Sequence, residues 1–140
     1  MAAPANAHVF LCPLRWSDMD AYGHVNNVRF LTYLEEARID LLLTAAGPAG
    51  RAMLDEGVVV VRHEIDYKRP LVHRVEPVPI ASWVEEISNA SFTVAYEIAD
   101  PDQVYVTART KLVLVDLTTG RPRRVGDDDR TWLRRFQPRD

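Results

Sequence analysis

The sequence is short of cysteine, of glycine motifs and of long apolar runs, and each shortage removes a class of protein. Cys12 is the only cysteine of 140 residues, so no disulfide forms within the chain. Its place in an apolar stretch marks a small buried hydrophobe rather than a nucleophile. No window reaches the roughly 18 apolar residues that a spanning helix requires, and the opening MAAPANAHVF lacks the basic start and apolar core of a secretory signal. Lys and Arg number 17 against 20 Asp and Glu, a net charge of -3, which speaks against a nucleic-acid binder. None of the six glycines falls in a dinucleotide fingerprint, a phosphate loop or a Gly-x-Ser-x-Gly elbow. The four histidines, His8, His24, His63 and His73, have no i,i+4 partner and no Cys pair, so neither a metal nor another cofactor is expected. A cytoplasmic protein of one domain, residues 1–140, is the expectation.

A hydrophobic share of 47% is enough for a core. His8 to Trp16 reads as a first strand. After Val25 the period changes to helical: Phe30, Leu34, Ala37 and Leu41 form one face, with Arg29, Thr32, Glu36 and Asp40 opposite. Asn26 or Asn27 caps this helix, Val25 and Phe30 are placed as a hydrophobic staple, and Gly47-Pro48 reads as its stop, after about twenty residues or roughly 30 Å. From Gly57 the β-branched and aromatic segments VVVVRHEIDYKRP, VPIASWVEEIS, SFTVAYEIAD and VYVTARTKLVLVDL follow, separated by Arg69-Pro70, Ser88-Asn89 and Asp100-Pro101-Asp102. The strand from Gln103 to Asp116 would run about 46 Å at 3.3 Å per residue, so it must curve. The class is therefore α+β: a strongly curved antiparallel sheet wrapped round one long helix, with DDDRTWLRRF as a short final helix capped by one of its Asp residues. The first six or so residues and the tail QPRD read as loose.

The stretch SDMDAYGHVNNVRFLTYLEEAR holds the chemistry. Asp20, the string Gly23-His24-Val25-Asn26-Asn27, the segment Tyr33-Leu34-Glu35-Glu36-Ala37-Arg38 and the later Tyr67-Lys68-Arg69-Pro70-Leu71 together resemble the hotdog-fold acyl-CoA thioesterases. The resemblance is to the branch of 4-hydroxybenzoyl-CoA thioesterase and the bacterial long-chain enzymes, and it covers about residues 8 to 136. It implies an acyl-CoA substrate, a homodimer or homotetramer with sites at the subunit interface, and a catalytic carboxylate at Asp20, as nucleophile or general base. His24 matches the histidine of the related plant acyl-ACP enzymes, although Tyr22 stands where their string has Asn.

A helix start offers amides without intrahelical partners, suited to a developing oxyanion. The backbone N–H of Asn27, with that of Val28, is the expected donor. Gly23 frees a tight turn, Asn26 and Asn27 serve equally as caps or substrate contacts, and Tyr67 and Arg69 are expected at the substrate. Asp18 reads as a turn acid. Glu35 and Glu36 diverge by about 100° and form no carboxylate pair; Glu35 and Arg38 read as a structural ion pair. Phosphates of CoA would call on Arg62, Lys68, Arg69, Arg74 or the seven Arg after Gly120. An acyl slot would draw on Phe30, Leu31, Leu34, Val59, Val61 and Trp83, with plain core packing as the other reading. A non-catalytic acyl-CoA binder is the rival function, and a hydratase the third; acyl type and carrier stay open.

Overall fold

The computed structural model describes residues 3–139; Met1, Ala2 and Asp140, from the two stretches expected to be loose, lie outside them. Five antiparallel strands, β1 (His8–Cys12), β2 (Val58–Tyr67), β3 (Val78–Ile87), β4 (Ser91–Asp100) and β5 (Gln103–Leu114), form one sheet in the order β1-β3-β4-β5-β2. Helix α1 (Asn27–Asp40) lies on its inner face, followed by α2 (Pro48–Glu56), and α3 (Asp127–Arg134) closes the chain. The α+β architecture expected from the pattern is present.

The first strand is shorter than expected: it ends at Cys12 because Pro13 cannot continue the ladder, and Trp16–Asp18 turn into a 3₁₀ helix. Gly47-Pro48 does not end the helical region either. It is a corner, Gly47 at φ 64° and Pro48 in the first turn of α2, since a proline lacking its N–H suits the first helical turn as well as a stop. Between the two helices the backbone widens into a π turn, Leu41–Ala45, closed by the Ala46 N–H to Leu41 C=O bond at 2.9 Å. At Gly50 the turn and α2 touch so closely that a Cβ there would stand 1.9 Å from the Leu42 carbonyl oxygen. Gly50→Ala should therefore lower unfolding free energy by about 2 kcal/mol in a urea titration, overpacking outweighing the gain in helix propensity.

Phe30, Tyr33, Leu34, Ala37 and Leu41 of the helical stripe are buried against Ile80, Val94, Ile98, Val106 and Leu114 of the sheet. Each such side chain contributes about 1.5–3 kcal/mol of apolar transfer. Irregular pairings at Val60/Arg62, Val84/Ile87 and Ile98/Ala99 bend the sheet. The bulge at Val61 also resets the phase of β2. Val58, Val60, His63, Ile65 and Tyr67 share the inner face with their partners Leu114, Leu112, Thr110, Ala108 and Val106, and Val59 points outward.

Val59 and Val61, 41% and 55% exposed, are thus not lining an internal slot. Nor is Trp83. It pairs with Ala95 at an outward position, apart from the inner core, on the side where Phe136 C=O accepts the Val84 N–H. Here the C-terminal segment covers the sheet: Gln137 donates to Glu85 C=O, and the Asn6 side chain donates to Arg135 C=O and Gln137 C=O. Both stretches expected to be loose are tied together at these residues. The cap of α3 is Gly126 rather than an Asp; Asp127, Asp128 and Asp129 occupy the first turn, where the helix dipole favours them.

Candidate active site

The loop ahead of α1 is folded by its own polar groups. Asp20 Oδ1 accepts the N–H groups of Tyr22 (2.8 Å) and His24 (3.1 Å), while the Asp20 N–H donates to His24 C=O at 2.7 Å. Gly23, at φ 76°, makes the turn in the left-handed region that other residues avoid. Met19 pairs with Val25 and His24 with Val72, and Asn26 N–H donates to Asp18 C=O. These bonds leave Oδ2 of Asp20 without a backbone donor. The His24 N–H, then that of Tyr22, holds the Asp20 carboxyl below its usual pKa.

Asp18 is a different kind of acid. It is 7% exposed and accepts the Tyr33 hydroxyl at 3.0 Å, with Arg29 Nε at 3.7 Å. It braces the loop against α1, as a turn acid was expected to do. Burial and this carboxylate raise the Tyr33 hydroxyl above its ordinary pKa.

Asn26 is the cap. Its Oδ1 accepts the Val28 N–H at 3.0 Å, and its carbonyl accepts the Arg29 and Phe30 N–H groups. Val28, expected as a second oxyanion donor, is therefore already engaged, because the capping side chain takes the amide that a ligand would need. Among the described residues no hydrogen bond engages the Asn27 N–H. The first turn of α1 thus leaves one amide free, at the dipole's positive end.

The end of β2 completes the site. Tyr67 Oη donates to Asn27 C=O at 2.9 Å and its ring packs 5.8 Å from Phe30. Beyond it, Lys68 and Arg69 are pinned by their N–H bonds to Tyr105 C=O. Asp20, His24, Asn27, Tyr67, Lys68 and Arg69 line a single open cavity of about 290 Å³, whose apolar wall is Val25, Phe30 and Pro70. Gly23, Asn26 and Val28 shape the loop and helix start but do not line it.

Other expected groups are elsewhere. Arg62 pairs with Glu64 on the outer face; Arg74 is held by Asp100 at 2.6 and 2.8 Å. Of the basic candidates, Lys68 and Arg69 line the cavity, and neither has an ion-pair partner among the described residues. Glu36 and Cys12 border a separate hollow with Asp18, beside β1, and burial pushes the Cys12 thiol up to about 12, so it stays protonated. Among the described residues no group of three or more His, Cys, Asp or Glu is placed to hold a metal, and no helix is long and apolar enough to cross a membrane. The Tyr67 bond to the helix start was not foreseen; no sequence signal joins two residues 40 apart. The expected structural pair of Arg38 with Glu35 is present at 3.7 Å; what was not foreseen is that Arg38 is 6% exposed, its Nη1 donating to Tyr96 Oη at 3.1 Å.

The cavity can seat a polarised carbonyl, its oxygen on the Asn27 amide and its carbon toward a carboxylate. The model of the thioesterase-like superfamily matches residues 14–133. The long-chain acyl-CoA thioesterase FadM of Escherichia coli K12 is 33% identical over 108 residues, 76% of this chain and 81% of the relative. The structure of YbaW, a probable thioesterase from Escherichia coli, superposes with a TM-score of 0.79 at 30% identity, covering 91% of this chain and 97% of that one. A thioesterase from Thermus thermophilus, solved with coenzyme A and Zn, gives 0.78 at 26% identity over 91% and 92% of the two chains. With its family, its curved sheet round α1 and its superposition on solved thioesterases all in agreement, the chain belongs to the thioesterase-like superfamily as a thioester hydrolase of the hotdog fold.

Proposed function

We propose that this thioester hydrolase cleaves acyl-CoA to a free carboxylic acid and CoA, with the whole activity carried by one domain, residues 1–140. The observation that carries the reading is the pairing, in one cavity, of an ionised carboxylate with a free helix amide and two cations that have no ion-pair partner among the described residues. Asp20 Oδ2 attacks the thioester carbon, the C–S bond breaks, and the thiolate leaves and takes a proton from water. Water then hydrolyses the mixed anhydride. The Asn27 N–H receives the carbonyl oxygen as charge develops on it. Lys68 and Arg69 hold CoA phosphates, Tyr67 fixes the helix start, and His24 orients the thioester. A relative named as an acyl-CoA thioesterase and another solved with coenzyme A support the substrate class. The alternative within this reading is the same carboxylate acting as general base on an attacking water. Single turnover in heavy-oxygen water separates the two, since only the anhydride route leaves label in Asp20.

A homodimer, or a tetramer built from it, fits the same reading. The far edge of β2 pairs with no strand among the described residues, and its Val59, Val60 and Val61 are 41%, 39% and 55% exposed. An unpaired apolar edge calls for a partner, and a second copy satisfies it with two-fold symmetry. The reading goes with a cytoplasmic location, where the lone Cys12 thiol stays reduced.

The test is thiol release from short, medium, long and aromatic acyl-CoAs by the purified protein. Turnover of any class supports the hydrolase. Tight binding of every class with no release of thiol would leave an acyl-CoA-binding protein instead.

A further inference from the structure

The inner face of β2 is uncovered beside the site. Tyr67, Ile65 and His63 follow one another along it at every second residue, and Tyr67 is 49% exposed. Helix α1 approaches this strand at two points, Asn27 C=O at Tyr67 Oη and Arg38 near His63, and Leu31, four residues after Asn27 and seven before Arg38, falls on the same flank between them. Strand and flank are the two sides of a groove that begins at the Asn27 amide, where Tyr67 bridges them.

The far end of the groove is polar. His63 Nδ1 is hydrogen-bonded to Thr110 Oγ1 at 2.9 Å, and Arg38, anchored on Tyr96, and Glu35 lie close enough to act on its charge. From Tyr67 to His63 is four residues of strand, about 13 Å. A fully extended alkyl chain advances roughly 1.25 Å per methylene, from C–C bonds near 1.5 Å, so the apolar part of the groove takes roughly ten carbons. A longer chain would have to strip water from an imidazole and a guanidinium without offering either a hydrogen bond, which is unfavourable.

Resting on the acyl-CoA reading above, we infer that this groove holds the acyl chain and that His63, backed by Arg38 and Glu35, sets its length limit. His63 is a specificity-determining residue here, remote from the reacting atoms. It stands on the exposed edge strand, and its replacement removes one hydrogen bond, that to the buried Thr110 Oγ1.

The experiment is the dependence of kcat/KM on chain length, from butanoyl- to hexadecanoyl-CoA below their aggregation concentrations, for the parent, His63→Leu and His63→Ala. The parent should gain about fourfold per methylene, from about 0.8 kcal/mol per buried CH₂, up to roughly ten carbons and nothing beyond. In His63→Leu the rise should continue for about two more methylenes, giving about fifteenfold more activity than the parent on tetradecanoyl-CoA and no change on hexanoyl-CoA. His63→Ala, which opens space without adding apolar surface, should move the break in the same direction. A parent profile still climbing at sixteen carbons, or variant profiles that overlay the parent, would overturn the length limit while leaving the hydrolase reading in place. Absence of thiol release from every acyl-CoA would overturn both.

Discussion

Asp20→Asn should release thiol at least about a hundredfold more slowly than the parent on its best substrate, the scale of a lost nucleophile or acid-base group. The amide is a fair replacement structurally. Its oxygen still accepts the Tyr22 and His24 N–H groups that Oδ1 accepts now, so the turn stays closed and the thermal midpoint should fall only slightly, by the charge-assisted part of those bonds. What the amide lacks is the charge on the other oxygen. A variant that is folded and as active as the parent would remove Asp20 from the mechanism.

The same hydrogen bonds fix the pH behaviour. The folded pKa of Asp20 lies below the unfolded value because N–H donors stabilise the charged form. The carboxylate's contribution to loop stability is thus complete above the unfolded pKa, near 3.9, and is lost as pH falls through the lower folded value. Activity should show no acid limb from this group between about pH 5 and 8. A limb at pH 6 would identify another titrating residue.

Asn27→Pro should cost about 10²- to 10³-fold in kcat, the usual effect of deleting one oxyanion donor. The substitution removes the free N–H and little else. Proline is favoured at the first residue of a helix, and Asn26 already holds the extended conformation, φ -60° and ψ 136°, that a following proline demands. Asn27→Ala, which keeps the amide, should behave like the parent. Equal losses in both would assign the effect to the Asn27 side chain and not to the backbone.

How far the sequence foretold this site depends on whether the residues act within one segment or between segments. Asp20 and His24 entered through the family resemblance and Asn27 through helix-start chemistry, and the structure brings the three together because a single loop and helix start carry them. Tyr67 and Arg69 entered through the family resemblance, since their approach to Asn27 depends on the curvature of the whole sheet. Val59, Val61 and Trp83 were misplaced for a common reason: one bulge inverts the alternation along β2, and β3 is buried on both faces, so that period no longer tells inside from outside. The burial of Arg38 was not foreseen because a guanidinium on an amphipathic helix normally reaches water, and the hydroxyl of Tyr96, 58 residues away, together with Glu35 makes that burial tolerable. Helix α2 was hidden by a Gly-Pro pair whose corner geometry and stop geometry begin alike.

Strands β3, β4 and β5 follow one another through tight turns and occupy the middle of the sheet, whereas β2 must reach past two later strands to pair with β5. Short loops close at less entropic cost than long ones, so the three-strand meander forms early and β2 joins it late. The tie between Tyr67 and Asn27 exists only after that docking. The pocket beside Tyr67 therefore assembles after the meander, and a chain that frays from this edge loses that pocket while most of its core is still folded.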